Sequence, residues 1–248
     1  MNAKPYIRSV ARWLAGSVAL AAGSYATYVG ITWYRYGRAE ALASPEDRDL
    51  LLDRFMPACE VIERHQARVA APAAITLAAA CDMDLQQSAF IRGIFRAREL
   101  ILGSDPEDTL RPQALLAWAK ALGWGVLAEV PGREVVVGAV TRPWTANVVF
   151  RALPPDEFAA FQEPGYVKIV WTLRADPISA SESVARTETR VATTDPTARA
   201  RFRRYWSFFS PGIVLIRRIS LGILKTEAER RAREARLEWR AAEEQGML

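Results

Sequence analysis

The chain has 248 residues, half of them hydrophobic and a quarter charged, which is enough for one well-buried domain with appended segments. Its net charge of +5 comes mostly from arginines interleaved with acidic residues along predicted helices, a distribution that argues against a nucleic-acid partner. One histidine and two cysteines exclude a multi-histidine metal centre, a thiolate cluster and a disulfide framework, and no sequence pattern indicates a cofactor. Cys59 and Cys81 fit either a single disulfide or two small buried side chains.

The first 40 residues are predicted to form an N-terminal transmembrane anchor. An uncharged run begins at Trp13 and ends at Tyr34, with basic residues before and after it. Twenty residues of helix span about 30 Å, the thickness of a hydrocarbon core. A signal peptide cleaved near Ala21 is the alternative, but cleavage there would leave an apolar run on the mature protein. We expect a single-pass protein of a bacterial-type plasma membrane, with its domain on the extracytoplasmic side.

Three glycines within this run are spaced seven residues apart, at Gly16, Gly23 and Gly30. Small residues at such spacing allow two transmembrane helices to approach closely. The pattern therefore predicts a possible homodimer contact, although glycine is common in transmembrane helices for other reasons.

Residues 41–58 are predicted to be a linker helix that starts at Ser44 and Pro45 and acts as a spacer between membrane and domain. The domain itself is assigned to residues 59–225 and a charged helical tail to residues 226–248. Within the domain we predict a strand near residues 60–69, helices over 71–80, 90–103 and 115–122, and a polar loop over 104–111. A hairpin over 126–140, a weaker strand over 147–153 and a helical turn over 155–161 follow.

The last two predicted strands alternate in character, as half-buried strands do. In residues 166–174 the apolar face carries Ile169 and Trp171. In residues 183–194, Arg186, Glu188 and Arg190 face opposite to Thr187 and Thr189. The charged face is either an anchor for an acidic head group or a cross-strand ladder of ion pairs on the wet face of the sheet.

A long helix is predicted from Asp195 and Pro196 to beyond Leu224. Asp195 is a suitable N-cap, and Pro196 fits the first helical position, where a missing N–H costs nothing. Its apolar stripe is wide, so it needs a large surface to cover, and Pro211-Gly212 predicts a kink. Strands grouped apart from helices indicate an α+β fold.

This order resembles the START-like helix-grip superfamily, also called the SRPBCC or polyketide-cyclase-like superfamily, over roughly residues 59–228. The resemblance is carried by three stretches: Glu63-Arg64-His65 leading to Val69-Ala70-Ala71-Pro72; Thr187-Glu188-Thr189-Arg190-Val191 before Thr194-Asp195; and Phe202-Arg203-Arg204-Tyr205-Trp206 with Pro211-Gly212. It implies a curved antiparallel sheet that wraps a long C-terminal helix and encloses an apolar cavity. Members of the superfamily bind lipids, sterols or polyketides, and some are cyclases.

On that resemblance, the chain is expected to be a membrane-anchored binding protein for an apolar small molecule or lipid held between sheet and helix. The side chains expected to contact the ligand face this seam: Ile169, Trp171, Thr187, Thr189, Tyr205, Trp206, Phe209 and Ile216. Large rings at such a seam also occur as plain core.

Two other functions stay open. A cyclase- or dehydratase-like enzyme would use the same cavity, with His65 as the only imidazole and Glu63 beside it under period-two spacing as catalytic candidates. A membrane-tethered interaction module would have a filled core and no ligand.

Overall fold

The computed structural model describes residues 4–38, 49–104 and 113–244, and within 4–12 it describes the backbone only. The helices are α1 Lys4–Arg35, α2 Leu50–Asp53, α3 Ala73–Asp82, α4 Ala89–Leu102, α5 Leu115–Ala121, α6 Pro155–Ala160 and α7 Pro196–Glu244. The strands are β1 Val61–Val69, β2 Gly125–Val130, β3 Glu134–Thr141, β4 Phe150–Arg151, β5 Val167–Ser179 and β6 Glu182–Thr193. The predicted α+β fold with a long C-terminal helix and an apolar N-terminal helix is confirmed.

The six strands form one antiparallel sheet in the order β1-β6-β5-β3-β2, with the short β4 pairing with β3. The register places Trp171 of β5 opposite Thr189 of β6, and His65 of β1 opposite Thr187. Because directly opposed residues share a face, the sheet has an inner face toward α7 and an outer face away from it. The predicted alternation of β5 and β6 is therefore confirmed; β5 continues beyond its predicted end to Ser179, and β6 agrees with its predicted span to within one residue at each end.

Helix α7 lies on the inner face and is one helix of 49 residues with Pro211 inside it. Asp195 Oδ1 accepts from the backbone N–H of Thr197 at 2.7 Å and of Ala198 at 3.0 Å, so it is the N-cap predicted from the sequence. Phe202 and Trp206 pack on the start of the sheet with Val61 and Val191. Further along, Leu224 and Ala228 share a core with α3 and with the centre of β3 and β5.

The outer face is covered as well, which the sequence did not predict. Leu52, Phe55 and Met56 are buried in one cluster with Val136 and Val170 of the sheet. Residues 49–58 are thus part of the packed domain, and the prediction of a spacer is wrong for them. Burial of these three apolar side chains against the sheet stabilises the folded protein, because it removes their surface from water. The predicted helix start at Ser44 and Pro45 lies outside the described residues.

The C-terminal boundary also moves. Ala228 and Ala232 are buried, and Arg231 pairs with Asp82 of α3 at 2.8 Å. The packed domain therefore continues through the first turns of the segment that the sequence assigned to a tail. The polar loop predicted over 104–111 lies almost wholly outside the described residues, and the weaker strand over 147–153 is reduced to β4.

Helix α1 packs its C-terminal half against the first turns of α7. The hydroxyl of Tyr25 donates to the carbonyl of Phe208 at 2.6 Å, and the guanidinium of Arg203 donates to the carbonyl of Trp33 at 2.7 Å. In these contacts the earlier residue of α1 meets the later residue of α7, so the two helices run antiparallel. Residues 13–35 of α1 are long and apolar enough to cross a membrane by length and composition, criteria that a signal sequence also meets. A stretch of α7 meets the same criteria of length and composition.

Candidate functional site

A cavity of about 750 Å³ lies between the inner face of the sheet, α7 and the helices α3 to α5. This volume falls in the range of roughly 300–1,000 Å³ that is typical of small-molecule sites. Most of its walls are apolar, from Ile94 and Phe95 of α4, Trp118 of α5, and the rings contributed by β5 and α7. The cavity could therefore hold a largely apolar molecule.

All eight side chains expected to contact a ligand line this cavity. β5 contributes Ile169 and Trp171, β6 contributes Thr187 and Thr189, and α7 contributes Tyr205, Trp206, Phe209 and Ile216. Strand alternation aims the first four at the inner face, and helical spacing aims the other four back at the sheet. Their placement at one cavity agrees with the sequence; ligand binding by them stays a prediction.

The aromatic rings of the cavity contact one another. Trp171 meets Trp124 edge-on with ring centroids 5.9 Å apart, and Tyr205 stacks on Phe209 at 4.9 Å. Phe95 of α4 meets Trp118 of α5 at 5.9 Å. Offset and edge-on pairs of this kind stabilise a rigid apolar wall.

Sequence reasoning missed the wall made by α4 and α5. The apolar residues of α4 recur at helical spacing and are visible in the sequence, but nothing local shows that this helix covers an opening rather than a core. Ile101 at the end of α4 lines the cavity and is still 69% exposed, so the cavity opens to the outside there.

One charged side chain from the middle of α7, Arg217, also lines the cavity, and no sequence pattern distinguishes it from the other arginines of that helix. Its Nη1 donates to the hydroxyl of Thr187 at 3.2 Å. Burial lowers the pKa of the Arg217 guanidinium to about 10, opposed by the charge of Glu63, so the group stays positively charged at neutral pH. The Nε of Arg217 and the hydroxyl of Thr189 are buried and have no hydrogen-bond partner among the described residues.

The two catalytic candidates lie together on β1. His65 Nε2 is 3.7 Å from Glu63 Oε2, as period-two spacing predicted. Burial lowers the pKa of His65, helped by the positive charges of Arg217 and Arg218, while burial raises the pKa of Glu63 against those same charges. Both effects favour the uncharged forms. Neither side chain is among those that line the large cavity.

Glu188 and Arg190 lie on the outer face of the sheet, whereas Arg186 of the same predicted row is among the residues that line the large cavity. Glu188 accepts from Arg64 Nε at 2.6 Å and from Arg190 Nε at 2.6 Å, and Arg190 also reaches Asp53 of α2 at 2.6 Å. This is the ladder of ion pairs that was the second interpretation of the pattern. The centre of the ladder is shielded from solvent, because α2 covers it and Arg190 is only 1% exposed. A smaller cavity of about 250 Å³, lined by Asp49, Arg64 and their charged neighbours, lies beside it.

The two cysteines are free thiols in different cores. Cys81 packs against the inner core and Cys59 against the outer one, so the sheet separates them. Burial raises the pKa of each thiol to about 11, which keeps it protonated and unreactive at neutral pH. Within the described residues no group of three or more His, Cys, Asp or Glu side chains is placed to hold a metal ion.

No family model matches the chain, and neither does any curated protein. Among solved structures, a hypothetical protein of Helicobacter pylori is 6% identical, with 76% of this chain and 96% of that chain covered and a TM-score of 0.36. The di-domain aromatase/cyclase BexL is 15% identical, with 68% and 46% covered and a TM-score of 0.24. The aromatase/cyclase Zhui, from a Streptomyces species, is 16% identical, with 71% and 97% covered and a TM-score of 0.23.

Membership of the helix-grip superfamily stays a prediction. Identities and TM-scores are low throughout, so the geometry of the chain itself carries the inferences that follow.

Proposed function

We propose that this protein is a membrane-tethered binding protein that holds an apolar small molecule or lipid between its sheet and α7. The observation that carries the proposal is the cavity of about 750 Å³ walled by apolar and aromatic side chains. Removal of apolar ligand surface from water is the driving force, and it requires few directional contacts.

The position of the N-terminal helix α1 is an argument that the ligand comes from the bilayer. Tyr25 of α1 is among the residues that line the cavity, and the exposed Phe208 of α7 lies beside it. The open end of the cavity is bordered by Ile101 of α4, an exposed apolar side chain, and Phe90 and Leu100 are further exposed apolar side chains of the same helix. An opening with such a rim next to a membrane-spanning helix favours entry of a lipid from the membrane. The proposed location is a bacterial-type plasma membrane, with the domain on the extracytoplasmic side.

The competing functions find less support. An interaction module with a filled core does not need a cavity of this size. A cyclase- or dehydratase-like enzyme would be favoured by reactive groups in the cavity, whereas Glu63 and His65 lie outside its lining. Binding without chemistry is therefore the proposal that the geometry supports best.

Filling the cavity is expected to remove the ligand. The full chain, purified in mild detergent, would be compared with Ile169→Trp and with Ile178→Trp by native mass spectrometry for co-purified small molecules. Ile169 lines the cavity, whereas Ile178 is exposed near the end of the same strand. Since an added indole occupies ligand space, we expect bound ligand to fall at least about tenfold in Ile169→Trp, equivalent to roughly 1.4 kcal/mol, and to persist in Ile178→Trp.

Two results would count against binding. One is an empty wild-type protein whose melting temperature no lipid or isoprenoid raises. The other is equal ligand occupancy in wild type and Ile169→Trp, which would place the ligand elsewhere, for example on the surface of α1.

Self-association through α1 is part of the proposal. Helical periodicity of about 100° per residue puts Gly16, Gly23 and Gly30 on the side of α1 opposite the tyrosines that contact α7, and a Cβ at each would meet no described atom within 4 Å. We expect replacement of all three by Leu to weaken self-association of the full chain in nanodiscs, measured by energy transfer between labelled copies. Ala15→Leu with Ala22→Leu, on another exposed face, is the control. Unchanged energy transfer in the glycine variant would rule out this contact.

A further inference from the structure

We infer that the proposed ligand carries an oxyanion head group, a carboxylate or a phosphate, which binds at Arg217, Thr187 and Thr189 on the inner face of the sheet. This inference rests on the proposed function, since it adds the chemical class of the ligand to the cavity already described. The cluster is called the head-group site below.

The head-group site presents unused hydrogen-bond donors to the cavity. Arg217 Nε and the Thr189 hydroxyl are both buried without a partner among the described residues, and both side chains line the cavity. The Thr187 hydroxyl accepts from Arg217 Nη1 at 3.2 Å, which leaves its own proton free to donate. Buried polar groups are nearly always hydrogen-bonded in native proteins, so a set of orphaned donors facing one cavity indicates an acceptor that binds there.

The charge of the head-group site selects an anion. Arg217 is positively charged, and Arg218 adds a second positive charge one residue further along α7. Glu63 opposes them with at most one negative charge. The balance is positive in a setting of low dielectric, where one buried guanidinium attracts an oxyanion strongly. A planar guanidinium also matches the two oxygens of a carboxylate or phosphate.

Other arginines near the cavity are already engaged. Arg98 donates from Nε to the Tyr205 hydroxyl and from Nη2 to the Pro143 carbonyl, each at 3.4 Å. Arg174 and Arg186 both pair with Asp176, at 2.8 Å and 2.9 Å respectively. Among the described residues that line the cavity, Arg217 is therefore the arginine with a buried N–H that has no partner and with hydroxyl groups beside it that can still donate.

The test compares ligands that differ only in the head group. Full chain in phosphatidylcholine nanodiscs would be labelled with photoactivatable palmitic acid, the matched photoactivatable hexadecanol, and hexadecyl phosphate bearing the same photoactivatable group. Labelled cavity peptides would be quantified against the mole fraction of each probe. A hydrogen bond to a charged group corresponds to about tenfold or more in affinity, so the acid or the phosphate is expected to label the cavity at about one tenth of the mole fraction that the alcohol needs.

Arg217→Met removes the charge and keeps the length of the side chain, so the preference for the anionic probe is expected to vanish while labelling by the alcohol persists. Arg233→Met changes an exposed arginine of α7 that does not line the cavity and is expected to keep the preference. Whether palmitic acid or hexadecyl phosphate labels at the lower mole fraction tells a free carboxylate from a phosphate head group.

Equal labelling by all three probes in wild type, or a preference that survives Arg217→Met, would overturn the head-group site and leave the proposed function standing. Absence of cavity labelling by every probe would overturn both. Persistent alcohol labelling of Arg217→Met shows that the variant is folded.

Discussion

Replacement of Arg190 by Leu is expected to lower the free energy of unfolding by about 3–5 kcal/mol, because it removes the buried guanidinium that pairs with both Glu188 and Asp53. Arg190 donates to Glu188 Oε1 and Asp53 Oδ1 at 2.6 Å each and to the carbonyl of Met56 at 2.8 Å. It therefore joins α2 to the outer face of the sheet. Urea unfolding of the full chain in detergent micelles, followed by circular dichroism, measures the loss.

The matched control is Arg68→Leu. Arg68 forms its ion pair with Glu182 at 3.3 Å, but its side chain is 70% exposed, and such pairs contribute at most about 1 kcal/mol. A charge mechanism also predicts that Arg190→Leu combined with Glu188→Leu is less destabilised than the sum of the single variants, since the loss of the Arg190–Glu188 pair is counted in both single variants. Equal losses for Arg190→Leu and Arg68→Leu would contradict the interpretation.

Replacement of Glu134 by Gln is expected to remove a decline in stability between about pH 4.5 and pH 8. Glu134 is a buried residue of β3, hydrogen-bonded to the carboxyl group of Asp49, the N-cap of α2. Burial, followed by this hydrogen bond and the charge of Asp49, raises the pKa of Glu134 from 4.5 to about 8.

The direction of the pH dependence follows from linkage. Below about pH 4.5 both folded and unfolded chains hold the proton, and the stabilising contribution of the neutral Glu134 is fully present. Between there and about pH 8 the unfolded chain has lost the proton while the folded chain keeps it, so the free energy of unfolding falls by up to about 1.4 kcal/mol per pH unit. Above about pH 8 that contribution is gone.

Melting temperatures of the full chain in micelles between about pH 5 and pH 9 test this prediction. Glu134→Gln keeps an uncharged side chain of the same size and is expected to melt above wild type at the alkaline end, with little difference at the acidic end. Glu157→Gln changes an exposed carboxylate of α6 and should follow the wild-type curve. Parallel curves for wild type and Glu134→Gln would show that Glu134 ionises in the folded protein as it does in water.

The sequence predicted well wherever a local pattern has one structural solution. Asp195 with Pro196 marks the start of α7, and Gly103 ends α4 in the left-handed conformation that glycine adopts at little cost. Alternation placed Ile169, Trp171, Thr187 and Thr189 on the inner face. Such patterns depend on neighbours a few residues away, and the chain carries them in full.

Features that join distant segments were not predictable in the same way. Leu52, Phe55 and Met56 form an apolar pattern that would also suit a linker helix lying on a membrane. They pack on the outer face of the sheet because that face would otherwise be exposed to water. Arg217 is one of many arginines in α7, and its role appears only because Thr187 and Thr189 lie across from it and no acid binds its Nε within the described residues.

By itself, the sequence determined the α+β class, the order of the elements, the apolar N-terminal helix and the eight side chains that share the seam, because periodicity and caps are local. The tertiary structure decided that the seam holds a cavity, that α4 and α5 wall it, that α2 covers the outer ion pairs, and that a half-buried arginine lines the cavity. Those outcomes depend on which surfaces remain uncovered after the sheet and α7 have met, and packing of that kind is set by the whole chain.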